Sequence, residues 1–251
     1  MNMFDLTGRM AIVTGGNGGI GLGIAAGLVE AGASVLLAGR NRAKGEAASR
    51  DLGPRAAFTT ADVAKKADCE RLVAEAVEKF GRLDIVVNNA GTSVRKPPQD
   101  YTETEWHRVV DTNLTGAFLL CQAAHPHLVR AGGGKIINIS SMNAIFGAPH
   151  NVPYASSKGG ISAMTRGLAT AWAADNIQVN AILPGFIDTE MTATARAQVP
   201  GLEQAVLART PAGRWGKPRD LSGLAVFLAA PASDWITGAS IPADGGFSIR
   251  A

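Results

Sequence analysis

A phenol and an ammonium group stand four residues apart in the segment YASSK, residues 154–158. On a helix, side chains at this spacing lie on the same face. A free tyrosine has a pKa near ~10, too high for a general base at neutral pH, and a neighbouring cation favours the phenolate. Tyr154 and Lys158 therefore predict proton transfer by a tyrosine whose acidity the lysine adjusts. Taken alone, the same spacing also fits an ordinary pair on a helix surface.

A glycine-rich segment, TGGNGGIG at residues 14–21, joins an apolar run to a helical pattern. Glycine permits a tight turn and lets backbone N–H groups approach a pyrophosphate, and the following helix N-terminus adds its positive dipole end. Between a strand and a helix, such a segment predicts a dinucleotide site, with a plain tight turn as the alternative. The predicted cofactor contacts are Gly15, Asn17, Gly19, Ile20 and Gly21.

The ends of later strands carry residues that suit the same cofactor. The second predicted strand runs into Gly39-Arg40, which lacks the acid that binds a ribose 2′-hydroxyl and offers a cation for a 2′-phosphate. NADP(H) is therefore favoured and NAD(H) stays open, because Arg40 could also be a solvated loop residue. Residues after the third and fourth strands are expected to line the cofactor as well: Asp62, Val63, Asn89, Ala90 and Gly91.

Composition limits the remaining possibilities. The chain has 251 residues, 46% of them hydrophobic and 18% charged, with a formal net charge of +3; these values are ordinary for a globular protein. There is no basic stripe for nucleic acid and no apolar run near the ~18 residues of a membrane span. Cys69 and Cys121 lack metal-site spacing, so no metal or disulfide framework is expected. Asp5 and Arg9 interrupt any signal peptide, and a cytoplasmic location is expected.

Short apolar runs alternate with helical patterns, which predicts a seven-stranded, mainly parallel, doubly wound α/β sheet with helices on both faces, in a single domain over residues 1–251. The predicted strands are Met10–Val13, Ser34–Ala38, Ala56–Thr60, Leu83–Val87, Lys135–Ile139, Ile177–Ile182 and Ser240–Pro242. The predicted helices are Gly19–Ala31, Ala43–Leu52, Lys66–Phe80, Glu103–Arg130, Val152–Ala173 and Pro218–Ala229. Thr102–Glu105 forms a capping box for the fourth helix. Residues 186–210 are interpreted as a substrate lid, with a surface helical excursion as the alternative.

Together the motifs resemble those of the short-chain dehydrogenase/reductase family along essentially the whole chain. The resemblance is carried by TGGNGGIG at 14–21, NNAG at 88–91, DTNLTG at 111–116, ISS at 139–141, YASSK at 154–158, LPGFIDT at 183–189 and ADGG at 243–246. It implies a Rossmann-fold, NAD(P)-dependent oxidoreductase that transfers a hydride between nicotinamide and a secondary alcohol or ketone. Members of the family are usually homotetramers, which would place the fourth predicted helix and the Tyr154 helix against partner subunits.

The resemblance also assigns a catalytic tetrad of Asn113, Ser141, Tyr154 and Lys158. Ser141 is chosen over Ser140 because the family serine stands thirteen residues before the tyrosine. Asn113 is implied to hold a water that links Lys158 to solvent. Additional cofactor contacts are implied at Pro184, Gly185, Ile187 and Thr189. One departure concerns Gly18, which stands where many NADP-dependent members carry a basic residue.

The substrate is expected among the loops at the carboxyl ends of the strands. Arg95-Lys96 follow the NNAG motif and offer cations to an anionic substrate such as an aldonate, or form a solvated basic loop. Predicted substrate contacts are Arg95, Asn143, His150 and Phe186. The segment RTPAGRWG at 209–216 is similar to one in gluconate 5-dehydrogenases and 2-deoxy-D-gluconate 3-dehydrogenases. This favours a small sugar acid or polyol; the alternatives are a 3-oxoacyl-(acyl carrier protein) reductase and a non-catalytic nucleotide-binding scaffold or sensor.

Overall fold

The strands form one parallel sheet in the order β3-β2-β1-β4-β5-β6-β7. The computed structural model describes residues 3–250, so the two ends of the predicted domain lie outside the described residues. The strands are β1 (Met10–Thr14), β2 (Ser34–Gly39), β3 (Ala56–Thr60), β4 (Ile85–Asn88), β5 (Gly134–Ile139), β6 (Ile177–Pro184) and β7 (Ser240–Ala243). The predicted seven-stranded, doubly wound α/β sheet is confirmed, with strand limits within two residues of those predicted.

Helices lie on both faces of the sheet and follow the strands in alternation. They are α1 (Gly19–Glu30), α2 (Arg42–Leu52), α3 (Lys66–Phe80), α4 (Glu103–Val110), α5 (Gly116–Arg130), α6 (Val152–Ala171), α7 (Glu190–Gln198), α8 (Leu202–Arg209) and α9 (Ser222–Ala229). The predicted capping box opens α4, where Glu105 N donates to Thr102 Oγ1 over 3.2 Å and Thr102 N donates to Glu105 Oε2 over 2.9 Å. Side-chain caps of this kind satisfy N–H groups that have no partner within the helix.

Each central strand is buried on both faces, as a parallel sheet between two helix layers requires. Alternate residues of β1 divide between two core clusters: Ala11 and Val13 pack with α1 and α9, whereas Met10 and Ile12 pack with α3 and α5. The two-residue period of a strand produces this division. The sheet is therefore fixed from both sides, and its carboxyl edge is a rigid platform for the loops that follow.

The predicted helix Glu103–Arg130 is interrupted, which corrects that prediction. Residues Asp111–Thr115 form a π-helical segment between α4 and α5. Such segments add a residue to the helical turn and are common at functional sites. Within it the Asn113 side chain is turned into the protein and is 2% exposed. The predicted helix Val152–Ala173 also ends earlier, at Ala171, because residues 173–175 tighten into a 3₁₀ turn.

The strand order reverses between β1 and β4. In open parallel sheets, ligands bind in the crevice beyond the carboxyl ends of the strands at this point.

Within residues 3–250, no helix is long and apolar enough to cross a membrane. In the same range no group of three or more His, Cys, Asp or Glu could hold a metal ion. Cys69 and Cys121 are buried free thiols, and burial raises their pKa to about 11 and about 12.

Candidate active site

The glycine turn after β1 is fixed by close contacts and a side-chain amide. Gly15 and Gly19 have φ of 62° and 51°, which favour glycine. A Cβ on Gly21 would lie 2.4 Å from both the Gly15 carbonyl oxygen and Asn89 Nδ2. Asn89 Nδ2 donates to the Thr14 and Gly15 carbonyls over 2.9 and 3.2 Å. Asn89 therefore holds the turn, and Gly21 lies beneath it.

A cleft of about 310 Å³ runs over this turn to the end of β5. Its lining includes thirteen of the predicted cofactor contacts: Gly15, Asn17, Gly19, Ile20, Asn89, Ala90, Gly91, Tyr154, Lys158, Pro184, Gly185, Ile187 and Thr189. Gly21 does not line the cleft. Its lack of a side chain allows α1 to approach the turn closely. The surface is mostly backbone and small side chains, with N–H groups at the start of α1, which suits a flat dinucleotide and its pyrophosphate.

The cleft continues into a second space of about 410 Å³ at the carboxyl ends of β2 and β3. The predicted residues Arg40, Asp62 and Val63 line it. Arg40 has no ion-pair or hydrogen-bond partner in residues 3–250, so its charge is available to a ligand. Lys44, on α2, lines both spaces and was not predicted, because its position beside the glycine turn depends on how α2 packs.

The phenol, the ammonium and a serine hydroxyl meet where the cleft ends. The Ser141 hydroxyl lies close enough to the Tyr154 phenol to lower the pKa of that phenol. Lys158 Nζ lies 5.5 Å from the centroid of the Tyr154 ring and donates to the Ile139 carbonyl over 2.6 Å. Ser140 Oγ instead donates to the Lys158 carbonyl over 2.9 Å, so it anchors α6. The geometry thus brings Ser141, rather than Ser140, to the tyrosine.

Burial dominates the electrostatics of this pair. It raises the pKa of Tyr154, and the hydrogen bond from Ser141 offsets part of that rise. Burial also lowers the pKa of Lys158 to about 8, and within residues 3–250 no carboxylate pairs with its ammonium. In the protein alone, Lys158 therefore does not produce a phenolate. A positive charge beside Tyr154, such as an oxidised nicotinamide, would favour the phenolate further.

Asn113 reaches the same centre through another residue of the YASSK segment. Its Nδ2 donates to the Thr92 carbonyl and to Ser157 Oγ, each over 3.0 Å, and its Oδ1 accepts from Thr92 N over 2.8 Å. Ser157 Oγ donates to the Tyr154 carbonyl over 2.7 Å. The Asn113 side chain is therefore occupied, and Ser157, which was not predicted, ties the π segment to α6. The side chain that was predicted to hold a water is thus engaged in protein contacts.

A wider cavity of about 690 Å³ opens on the other side of Tyr154. All four predicted substrate residues line it: Arg95, Asn143, His150 and Phe186. Sequence reasoning missed Arg108 of α4 and Trp215, which also line it. Residues of α7 and α8 contribute too, among them Met191, Thr192, Gln198 and Leu202. Six residues line both this cavity and the cleft: Ser141, Tyr154, Pro184, Gly185, Met191 and Thr192.

The cations of this cavity differ from those expected. Lys96 Nζ is paired with Glu105 over 2.6 Å and stands outside the cavity lining, so it does not serve the substrate. That pairing, with the Thr102 backbone, lowers the pKa of Glu105 to about 2. Arg95 and Arg108 line the cavity, and neither guanidinium has a hydrogen-bond or ion-pair partner in residues 3–250. The positive charge offered to a ligand therefore comes from two arginines.

The cavity walls are joined to each other by specific contacts. The His150 carbonyl accepts hydrogen bonds from Lys96 N over 3.1 Å and from Tyr101 Oη over 3.2 Å, which links residues 92–98 to residues 142–153. On the opposite wall, the Arg196 guanidinium lies 4.6 Å from the Trp215 ring centroid and pairs with Asp188. The segment 209–216 thus contributes Trp215, against which the helix α7 rests.

Comparisons with known proteins agree with this geometry. A family model described as enoyl-(acyl carrier protein) reductase matches residues 15–248. The chain is 41% identical over 254 residues to 2-dehydro-3-deoxy-D-gluconate 5-dehydrogenase from Escherichia coli (strain K12), covering 100% of this chain and 99% of that protein. It is 38% identical over 251 residues to 5-keto-D-gluconate 5-reductase from the same strain, covering 99% and 98%.

A solved structure agrees at the level of the whole fold. Gluconate 5-dehydrogenase from Burkholderia cenocepacia J2315, crystallised in complex with NADP and tartrate, has a TM-score of 0.94 and 38% identity, covering 100% of this chain and 99% of that one. The chain therefore belongs to the short-chain dehydrogenase/reductase family. Its activity is that of an oxidoreductase acting on CH–OH groups.

Proposed function

We propose that this protein is an NADP(H)-dependent dehydrogenase that interconverts a secondary hydroxyl and a ketone on a sugar acid. One observation carries the proposal: Ser141 and Tyr154 line both the nucleotide cleft and the arginine-bearing cavity. A hydroxyl in the cavity would therefore meet the proton-transferring phenol at the place where a nicotinamide in the cleft could reach its carbon. The relatives named above act on gluconates or their keto derivatives, which supports the same substrate class.

Tyr154, Ser141 and Lys158 have different roles in the proposed reaction. When bound, NADP(H) accepts or supplies the hydride. For oxidation, Tyr154 as phenolate takes the hydroxyl proton, and for reduction its phenol returns that proton to the carbonyl oxygen. Ser141 donates a hydrogen bond to the same oxygen and fixes its position. Lys158 stabilises the phenolate while charged. Its ammonium is held in place by the hydrogen bond that it donates to the Ile139 carbonyl over 2.6 Å.

The cofactor residues fit NADP(H). The cleft offers backbone N–H groups at Gly19 and Ile20 for the pyrophosphate, and Ile187 and Thr189 at the nicotinamide end. Arg40 has no acidic neighbour in residues 3–250 and lines the space at the adenosine end. An uncompensated guanidinium favours a 2′-phosphate over a 2′-hydroxyl. Asp62 and Val63 line the place proposed for the adenine.

A rate panel on the purified protein tests the proposal. Gluconate, 2-deoxygluconate, 2-dehydro-3-deoxygluconate and neutral polyols would be offered with NADP⁺ or NAD⁺, and the matching keto acids and a 3-oxoacyl thioester with NADPH or NADH. We expect turnover with the sugar acids, faster with the phosphorylated cofactor. In Arg95→Gln, KM for the acid should rise while that for a neutral polyol stays constant. Turnover confined to the thioester would replace the proposal with an acyl-carrier-type reductase.

A protein that bound the cofactor without catalysing any reaction would be a scaffold or sensor. The four tetrad side chains make this alternative weak, because Ser141, Tyr154 and Lys158 meet and Asn113 is linked to them through Ser157. Binding of NADPH by the wild-type protein without turnover across the whole panel would be the outcome in its favour. Residues 186–210 would form the lid, because α7 and α8 cover the cavity.

We also propose a cytoplasmic homotetramer, joined through α4, α5 and α6. Exposed apolar side chains support such contacts: Trp106 on α4 is 38% exposed and Phe118 on α5 is 42% exposed. Large apolar side chains at these positions are expected to be covered by a second copy. Light scattering coupled to gel filtration should give four times the chain mass, and Phe118→Glu should lower it. A monomeric wild-type protein would end this part of the proposal.

A further inference from the structure

A lysine of α2 lies against the glycine turn at Gly18. Gly18 is the residue of the glycine turn that faces α2. A Cβ built on Gly18 would lie 3.0 Å from both Cε and Nζ of Lys44. The ammonium of α2 therefore occupies the space that a side chain at position 18 would otherwise use. Two distant sequence positions thus compensate each other: the glycine makes room, and the lysine supplies the charge.

The Lys44 ammonium lies between the two parts of the nucleotide site. Lys44 lines the cleft over the glycine turn and also the space that holds Arg40, Asp62 and Val63. Asn41 caps α2 by accepting a hydrogen bond from Lys44 N over 3.0 Å, which fixes where the lysine leaves the helix. A ligand that runs from the Arg40 loop to the start of α1 must pass this ammonium.

In the protein alone, the ammonium is paired with the lid. Lys44 Nζ lies 2.6 Å from Glu190 Oε1, at the first residue of α7. The Glu190 side chain is 87% exposed and the Lys44 side chain 39% exposed. An ion pair this open to water contributes roughly fivefold at most to an equilibrium. A phosphate monoester, with about two negative charges and three acceptor oxygens, is a stronger partner for the same ammonium.

We propose that Lys44 is a second ligand, beside Arg40, for the 2′-phosphate of NADP(H), and that Glu190 competes with that phosphate for it. The inference rests on the proposed cofactor and adds a specificity residue and a competitor to it. Cofactor binding would then break the bridge between α2 and α7, so the same event that fills the adenosine end releases the lid helix at its first residue. NAD(H), which lacks the phosphate, would leave the bridge intact.

The test uses two ligands that differ only in this phosphate, 2′,5′-ADP and 5′-AMP, titrated calorimetrically into the full chain without substrate. Lys44→Met should weaken 2′,5′-ADP about tenfold and leave 5′-AMP unchanged, which also shows that the variant is folded. Lys66→Met is the matched control, since Lys66 lies on α3 and pairs with Glu70 over 3.8 Å. It should alter neither affinity. If the affinities for both ligands fell equally, Lys44 would contact the 5′-phosphate, and its assignment to the 2′-phosphate would be overturned.

The competitor is tested by a double-mutant cycle. Glu190→Gln should strengthen 2′,5′-ADP binding about two- to fivefold when Lys44 is present and not at all in the Lys44→Met background. An equal effect in both backgrounds would refute the competition. A wild-type protein that binds 5′-AMP as tightly as 2′,5′-ADP would overturn the NADP assignment and this inference together. Turnover on sugar acids is measured separately, so its failure would leave these binding results standing.

Discussion

The nucleotide cleft and the substrate cavity share Ser141 and Tyr154, yet they are made of different parts. The cleft is lined largely by the glycine turn and other small residues, and Asn89 holds that turn by hydrogen bonds to the Thr14 and Gly15 carbonyls. The cavity is lined by two loops and by α7 and α8, and it includes long side chains such as Arg95, Arg108 and Trp215. A surface of backbone accepts one ligand shape, whereas a surface of side chains can be changed residue by residue.

This difference explains how one fold can keep a cofactor and change its substrate. A substitution in the glycine turn meets backbone atoms that cannot move, so most changes there cost cofactor binding. A substitution of Arg95, Arg108 or His150 changes only what the cavity offers, because these side chains project from loops and helix surfaces. Substitutions can therefore separate the two regions, and the first to consider is at Tyr154, which lines both.

The largest effect is expected for Tyr154→Phe. Removing the phenol should reduce kcat about 10²- to 10⁴-fold, the usual contribution of a general acid–base, while Kd for NADPH changes less than about twofold. Tyr101→Phe is the matched control: it is the other tyrosine of the chain, and it donates to the Val94 carbonyl over 2.5 Å at the cavity wall. It should affect KM more than kcat. Retained turnover in Tyr154→Phe would assign the proton transfer elsewhere.

The second-largest effect is expected in the free energy of unfolding, because the Lys158 ammonium is buried at the end of the cleft. The pKa of Lys158 falls from 10.5 to about 8, which corresponds to about 3 kcal/mol of folding free energy lost while the lysine is charged in both states. Lys158→Met should therefore raise the free energy of unfolding at pH 7, by about 2 kcal/mol once ~1 kcal/mol is subtracted for the hydrogen bond to Ile139. The variant should be inactive, so this gain comes at the expense of function.

The destabilisation that Lys158 causes depends on pH. Its folded pKa lies below the unfolded one, so the penalty is complete below pH 8 and disappears as pH rises toward 10.5. Urea unfolding at pH 7 and pH 9.5 should show the advantage of Lys158→Met shrinking. Lys66→Met is the control, because the Lys66 ammonium is exposed to water on α3 and pairs with Glu70 over 3.8 Å. A pH-independent advantage would contradict the burial explanation.

The third prediction compares a glycine from each region. A Cβ on Gly21 would meet backbone at 2.4 Å, whereas a Cβ on Gly147, in the cavity lining, would meet nothing within 4 Å. Gly21→Ala should raise Kd for NADPH about tenfold or more, since overpacking against backbone has few ways to relax. Gly147→Ala should leave it unchanged. If both variants bound the cofactor normally, the contrast between a rigid cleft and an adaptable cavity would be wrong.

Much of the cleft was predictable because its signals are local. Glycines at fixed spacing, short apolar runs and a polar residue at each strand end specify the sheet and its carboxyl edge without long-range information. Thirteen predicted cofactor contacts line the cleft for this reason. Gly21 is the exception. The sequence predicts it as a cofactor contact, but it lies beneath the turn, against Gly15 and Asn89, and this position follows from the packing of Asn89.

The rest depended on packing. The sequence contains both Lys96 and Glu105, but only the fold brings them within 2.6 Å and removes that cation from the substrate side. The π segment around Asn113 has no composition that separates it from an ordinary helix. Lys44 and Arg108 are exposed helix residues in the sequence pattern, and their functional positions follow from where α2 and α4 lie. Helical periodicity separates buried from exposed positions, but it does not show which exposed residues line a binding site.

The smallest effect, and the sharpest test of the cavity, belongs to Arg108. Its guanidinium lines the cavity without a partner in residues 3–250, but it is exposed, so water screens its charge. Arg108→Gln should raise KM for a sugar acid about three- to tenfold and leave kcat, Kd for NADPH and KM for a neutral polyol unchanged. Arg50→Gln, on α2 and outside both lining sets, is the control. A loss shared by acid and polyol would mean that Arg108 shapes the cavity rather than recognising a carboxylate, leaving that recognition to Arg95.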